Sequence, residues 1–162
     1  MKERFALVFS AFFILSALTP LLVIVNQSGE AGAAAPSPVK WSKYASNPVM
    51  SPGGSGSWEG VIIFPASIID EGGGQLLLYY QGSDGSTTRI GLATSGDGIS
   101  WTKSAGNPLL PGGSPAVIKD GGTSKMWYLG TGGVCLATSA DGRNFTNFSG
   151  NPVMKPGAAS TW

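Results

Sequence analysis

Asn47-Pro48-Val49-Met50, Asn107-Pro108-Leu109-Leu110 and Asn151-Pro152-Val153-Met154 are three copies of one string, each followed within a few residues by Pro-Gly. The repetition extends outward from them. Leu92-Ala93-Thr94-Ser95-Gly96-Asp97-Gly98 returns as Leu136-Ala137-Thr138-Ser139-Ala140-Asp141-Gly142, and Pro65-Ala66-Ser67-Ile68-Ile69-Asp70 returns as Pro115-Ala116-Val117-Ile118-Lys119-Asp120. Self-similarity at a spacing of roughly 40 to 60 residues marks stacked modules, none of which buries its apolar faces alone.

Each module reads as four short strands. Phe64 to Ile69 is a β-rich run that ends at the turn Asp70-Glu71-Gly72-Gly73-Gly74, and Gln75 to Gln81 follows. Arg89 to Ser95 comes after a Gly/Ser/Asp loop. Ile99 to Lys103 is reached through Asp97-Gly98, a dipeptide suited to positive φ in tight turns. The second module repeats the order with Ala116 to Lys119, Lys125 to Gly130, Val134 to Ser139 and Asn144 to Phe148, its middle hairpin shortened. Leu76-Leu77-Leu78-Tyr79-Tyr80 is apolar on consecutive residues, as expected of a strand covered on both faces. A buried helix segment is the alternative for so short a run, and the flanking glycines argue against it. The fold class expected is all-β: a partial β-propeller of four-stranded antiparallel blades, blade 1 at about 58–103, blade 2 at about 114–148, and the start of blade 3 at 151–162.

Ahead of this segment, Lys2 and Arg4 precede an apolar run from Phe5 to Val25, and the small residues Ala31 to Ala35 follow. Residues 1–35 therefore read as an export segment, an N-terminal hydrophobic helix that is either a cleaved signal peptide or a retained membrane anchor. The remainder, 36–162, is expected to be secreted or otherwise extracytoplasmic, touching a membrane only if that segment stays attached. From Pro36 onward Lys and Arg number eight and Asp and Glu seven, with no run of either sign. Nucleic-acid binding requires a concentrated basic patch, so it is not expected. The chain holds one cysteine and no histidine. That excludes an intrachain disulfide, Ser-His-Asp chemistry and histidine-ligated metal, and leaves Cys135 as a buried, inert thiol. No EF-hand spacing occurs, and neither a metal nor any other cofactor is expected.

Taken together, Asn-Pro-Val/Leu-Met/Leu, Pro-Ala-x-Ile, Tyr-Tyr or Trp-Tyr, and Ala-Thr-Ser-x-Asp-Gly resemble the repeat of the five-bladed β-propeller glycosidases and glycosidase-related proteins, the superfamily of glycoside hydrolase families 32, 43, 68 and 130. The resemblance covers residues 41 to 162, about two of five blades. It implies a saccharide partner and carboxylates near the starts of the innermost strands. Relatives often carry Asp-Pro where this chain has Phe64-Pro65 and Ser114-Pro115, so both expected acids are absent.

Glycoside hydrolysis generally needs two carboxyl groups flanking the bond. Asp97 and Asp141 occupy equivalent turns, as do Asp70 and Asp120, which points to turn formation. Glu71 and Asp84 sit in Gly-rich loops and read as solvated charges. Glu59 is the candidate catalytic acid, because it follows Trp58 and precedes the first inner strand, a place that opens toward the pocket in the resembled fold; a structural or solvent-exposed role is its alternative. Trp58 and Phe64 are candidate stacking surfaces for a sugar's C–H face, with Asn47 as a candidate hydrogen-bonding residue. Trp101, Phe145, Trp127, Tyr80 and Tyr128 fall at repeated positions and read as core. Three functional readings stand: a carbohydrate-active glycoside-hydrolase-like propeller, a non-catalytic carbohydrate-binding or assembly module that closes the propeller by self-assembly, and an inactive fragment.

Overall fold

A computed structural model describes residues 40–157. The expected export helix, and the part of the expected third module from 158 onward, lie outside the described residues. The chain divides into two units, Met1–Trp41 and Ser42–Trp162, and among its described residues the second carries nine strands and no helix.

The first sheet has the order β1 (Ile62–Asp70), β2 (Leu76–Ser83), β3 (Thr88–Ser95) and β4 (Thr102–Lys103), antiparallel throughout, and β5 (Leu110–Pro111) adds to the outer side of β3. The second has β6 (Gly113–Asp120), β7 (Thr123–Gly130), β8 (Gly133–Ser139) and β9 (Thr146–Asn147), also antiparallel. The fold is all-β, in two antiparallel sheets. Leu77, Leu78, Tyr79 and Tyr80 are buried one after another, because both faces of β2 are covered. In β7 burial alternates: Ser124, Met126 and Tyr128 are enclosed while Lys125, Trp127 and Leu129 are half-buried or exposed. Period-two burial is what a sheet covered on one side produces.

The core lies between the sheets, where Leu77, Tyr79, Ile90 and Leu92 of the first meet Val117, Met126, Tyr128 and Ala137 of the second. Phe145 packs edge-on against Tyr79 at 5.8 Å between ring centres. Polar contacts at the same interface fix the sheets' register. The Tyr79 hydroxyl donates to the Gly142 carbonyl at 2.7 Å, and Ser67 Oγ both donates to the Val117 carbonyl and accepts from its N–H, each at 3.2 Å. Lys119 reaches across to Glu71 at 3.0 Å.

The Asn-Pro string has a physical role at two of its three positions. Asn107 Oδ1 accepts from the Leu92 N–H at 2.8 Å while its Nδ2 donates to the Leu92 carbonyl at 2.9 Å and to Tyr80 Oη at 3.0 Å. Asn151 treats Leu136 identically, at 2.8 and 2.9 Å. The side-chain amide presents one acceptor and one donor, as a neighbouring strand's peptide group would, so it pairs the free edge of the third strand. The residues that follow continue the pairing: the Leu109 N–H donates to the Ile90 carbonyl and the Val153 N–H to the Val134 carbonyl, both at 2.8 Å. Asn151–Met154, which repeat spacing places at the head of a third module, thus runs along β8 of the second sheet.

Candidate functional site

The first strands of the two sheets, β1 and β6, carry the same irregularity. The register of β1 against β2 shifts between Pro65 and Ser67, and that of β6 against β7 shifts between Gly113 and Ala116, so Pro65 borders the first bulge and Pro115 lies within the second. Proline has no N–H to give the ladder, so a bulge is where a strand accommodates it, and bulges re-aim the neighbouring side chain. Ser114 lies inside the second bulge, and Phe64, paired with Gln81, stands just before the first. Together with Pro65, Ala66, Gln81, Pro115 and Ala116 they line a cleft of about 520 Å³ between the starts of β1 and β6.

The chemistry of this cleft is neutral. Phe64 is half exposed and offers a ring face. Gln81 Oε1 accepts from the Ser114 N–H at 2.9 Å and from its hydroxyl at 3.5 Å, which leaves Nε2 as an oriented donor. Ser114 holds φ at +50°, a left-handed conformation that costs a residue with a Cβ about 1–2 kcal/mol. Such positions persist where the surroundings impose them, and they concentrate at ligand sites. Here the Gln81 amide and the bulge impose it.

The structure places Trp58 and Glu59 elsewhere, together, against the end of the first sheet. Trp58 stacks on Tyr80 with ring centres 6.0 Å apart and planes at 24°. Its seat depends on two glycines, since a Cβ at Gly82 or Gly91 would stand 2.6 or 2.9 Å from the indole. Glu59 is 94% buried, its relative exposure being 6%, and its Oε1 pairs with Lys103 Nζ at 2.6 Å. Lys103 donates also to the Ser51 carbonyl at 2.8 Å, so the pair fastens the loop before β1 onto β4. Burial, reinforced by the adjacent Glu59 carboxylate, holds the Tyr80 phenol well above its ordinary pKa. In the second sheet the register that Lys103 holds belongs to Asn147, which accepts from Tyr128 Oη at 2.7 Å. The loop before β6 is reduced there to Gly112, and no acid stands opposite.

Asn47 lies apart from both groups. Its Nδ2 donates to Tyr44 O at 2.8 Å within its own turn. Of the four nominated residues, then, Phe64 lines the cleft, Trp58 and Glu59 share the packed loop, and Asn47 lies on the segment before it. Gln81 and Ser114 were missed as contributors. Ser114 had one signal, its position before a proline where relatives carry an acid. Gln81 had a fainter one, as the polar residue closing an otherwise apolar run.

The other acids after Pro36 are also engaged. Asp97 Oδ1 accepts from the N–H groups of Ile99 and Ser100 at 2.8 and 2.7 Å, and Asp141 Oδ1 from those of Arg143 and Asn144, both at 2.8 Å. These backbone donors hold both carboxyls far below the usual aspartate range. Asp84, bonded to the N–H groups of Thr87 and Ser86, is lowered to about 2. Asp70 caps Gly72, Asp120 pairs with Lys125, and Glu71 pairs with Lys119, so Glu71 is an inter-sheet tie rather than a solvated charge. Among the described residues no three of the types His, Cys, Asp and Glu gather into a candidate metal set.

No protein-family model and no curated protein matches the chain. Solved structures do. A protein provisionally assigned as a glycoside hydrolase from Bacteroides ovatus superposes with a TM-score of 0.53 at 26% identity, over 62% of this chain and 38% of its own. The chain is similar to glycoside hydrolases. A second provisional glycoside hydrolase, from Parabacteroides distasonis, gives 0.54 at 25% identity, over 65% of this chain and 40% of its own. A family 117 glycoside hydrolase from Zobellia galactanivorans shares the fold, with a TM-score of 0.53 at 22% identity, over 61% of this chain and 30% of its own. The chain spans about two fifths of the length of the first two structures it matches.

Proposed function

We propose that this chain is the saccharide-binding part of an exported, glycoside-hydrolase-like β-propeller, its two sheets being successive blades, and that it binds sugar without cleaving it. One observation carries the reading. The cleft at the starts of β1 and β6 combines an exposed ring (Phe64), an oriented amide (Gln81) and a hydroxyl (Ser114), while the described acids after Pro36 each hold a backbone donor or a lysine, Glu59 through Oε1 alone. A sugar offers an apolar C–H face and a ring of hydroxyls, which this set matches. Hydrolysis needs two carboxyl groups about 5 to 9.5 Å apart across the bond, and no carboxylate among the described residues lines the cleft. Glu59 belongs to the loop that packs Trp58 onto Tyr80, so its role in this account is structural. The apolar run Phe5 to Val25 supports export, by cleaved signal or retained anchor.

The test is a neutral-glycan array followed by titration of the strongest hit. Phe64→Ala and Gln81→Ala are expected to weaken binding at least tenfold, and no reducing sugar is released. Turnover that depends on Glu59 would replace this reading with a hydrolase.

A further inference from the structure

The three Asn-Pro strings are equivalent in sequence but not in occupancy. Asn107 grips the backbone of Leu92 and Asn151 that of Leu136, each by the same two bonds to the third strand of the preceding sheet. Asn47 heads the same string but is bonded differently: the carbonyl three residues before it, Tyr44 O, takes its side-chain amide, whereas Ser104 O and Phe148 O take the backbone N–H groups of Asn107 and Asn151. No strand is hydrogen-bonded to it among the described residues. Its Nδ2 is folded back onto Tyr44 O, and Oδ1 has no donor among the described residues. Behind it, Pro48, Val49 and Met50 join Ile63, Pro65 and Leu78 in an apolar groove of about 480 Å³.

We infer that Asn47–Met50 is a docking segment for the third strand of another sheet of this same repeat, one whose Leu-Ala-Thr-Ser strand carries no Asn-Pro segment of its own. The equivalence specifies the contacts. Asn47 Oδ1 and Nδ2 take the N–H and C=O of the incoming leucine, as their counterparts do, and the Val49 N–H donates two residues further along, as those of Leu109 and Val153 do. It also excludes an intact second copy of this chain. The leucines at the corresponding point of β3 and β8, Leu92 and Leu136, are already paired by Asn107 and Asn151, so the incoming strand must come from a sheet with an open edge.

The chain can be made to supply that edge. Ending it at Gly150 removes the segment from Asn151 and bares Leu136 on β8. In a mild detergent, analytical ultracentrifugation of the full chain is expected to show no association through this segment. The shortened chain is expected to associate head to tail at a concentration at least tenfold lower, and Asn47→Ala in the shortened chain to abolish that association. Equal association of the full and shortened chains, or association indifferent to Asn47→Ala, overturns the inference. A second measurement does not depend on the shortened chain folding. A peptide of sequence Gly133–Ser139, added at millimolar concentration to the isotope-labelled full chain, is expected to shift the Asn47 side-chain amide and the Val49 backbone amide, and Asn47→Ala to remove the Val49 shift. Unmoved resonances overturn it equally.

Discussion

Replacing Asn107 by alanine removes three hydrogen bonds at once, and their surroundings set the cost. Leu92 is 1% exposed, and its N–H points to the outer edge of β3, where Asn107 Oδ1 is its partner. A buried N–H left without an acceptor costs about 1–3 kcal/mol. The Leu92 carbonyl keeps the Ser104 N–H at 2.8 Å, and the Tyr80 hydroxyl loses one neutral donor, together adding about 1 kcal/mol. The expected loss is therefore about 2–4 kcal/mol, a large share of a typical domain's stability. Asn151→Ala removes the same pair from Leu136, which is only half-buried, so water replaces part of the loss and about 1 kcal/mol is expected. Asn47→Ala breaks one exposed bond within a turn and should stay within about 0.5 kcal/mol of the parent. Asn107→Asp is expected to be no better than alanine, because its second oxygen faces the Leu92 carbonyl with no proton to offer. Urea unfolding of the full chain, read as a midpoint shift at constant slope, measures the series. If Asn107→Ala and Asn47→Ala lie within about 0.5 kcal/mol of each other, the amide is not a strand surrogate and the reasoning fails.

Three further outcomes follow from other contacts. Tyr79→Phe should cost about 1–3 kcal/mol in the same unfolding assay, because it strips the donor from the buried Gly142 carbonyl while leaving the ring packed on Phe145. Glu59→Gln should lower stability by about 1–3 kcal/mol, the worth of a charge-assisted bond in a largely buried place, yet leave saccharide affinity unchanged in a titration. Asp84, Asp97 and Asp141 all have folded-state pKa values below the unfolded aspartate value of about 3.9. Their contribution is thus complete above about pH 5 and drains away as the pH falls toward 2. A thermal melt should show a midpoint that drops over that window, with the drop reduced in the Asp97→Asn, Asp141→Asn double variant.

Much of the fold was legible because its strands obey local rules. Leu76 to Tyr80 is apolar on successive residues and is buried on both faces, and the Asp97-Gly98 and Asp141-Gly142 turns recur wherever a third strand hands over to a fourth. The Asn-Pro string was visible as a repeat but not as a function. An edge paired by a side-chain amide leaves neither alternation nor period in the sequence, so β5 and the run of 151–154 along β8 had no signature. The site was less legible for a similar reason. Phe64 could be nominated as an aromatic near Glu59 in the sequence, but Gln81 acts across the sheet boundary on Ser114, thirty-three residues away, and only the packing of β6 beside β1 brings them together. Glu59 looked free because its partner, Lys103, lies forty-four residues on and carries no motif.

The most direct test of the account is a saccharide titration of the full chain carried out alongside Phe64→Ala, Gln81→Ala and, as a control at an exposed aromatic outside the cleft, Phe148→Ala. A saturable glycan complex is expected, weakened at least tenfold by the first two substitutions and left unchanged by the third. Binding that ignores Phe64 and Gln81, or no binding across the array, would contradict it.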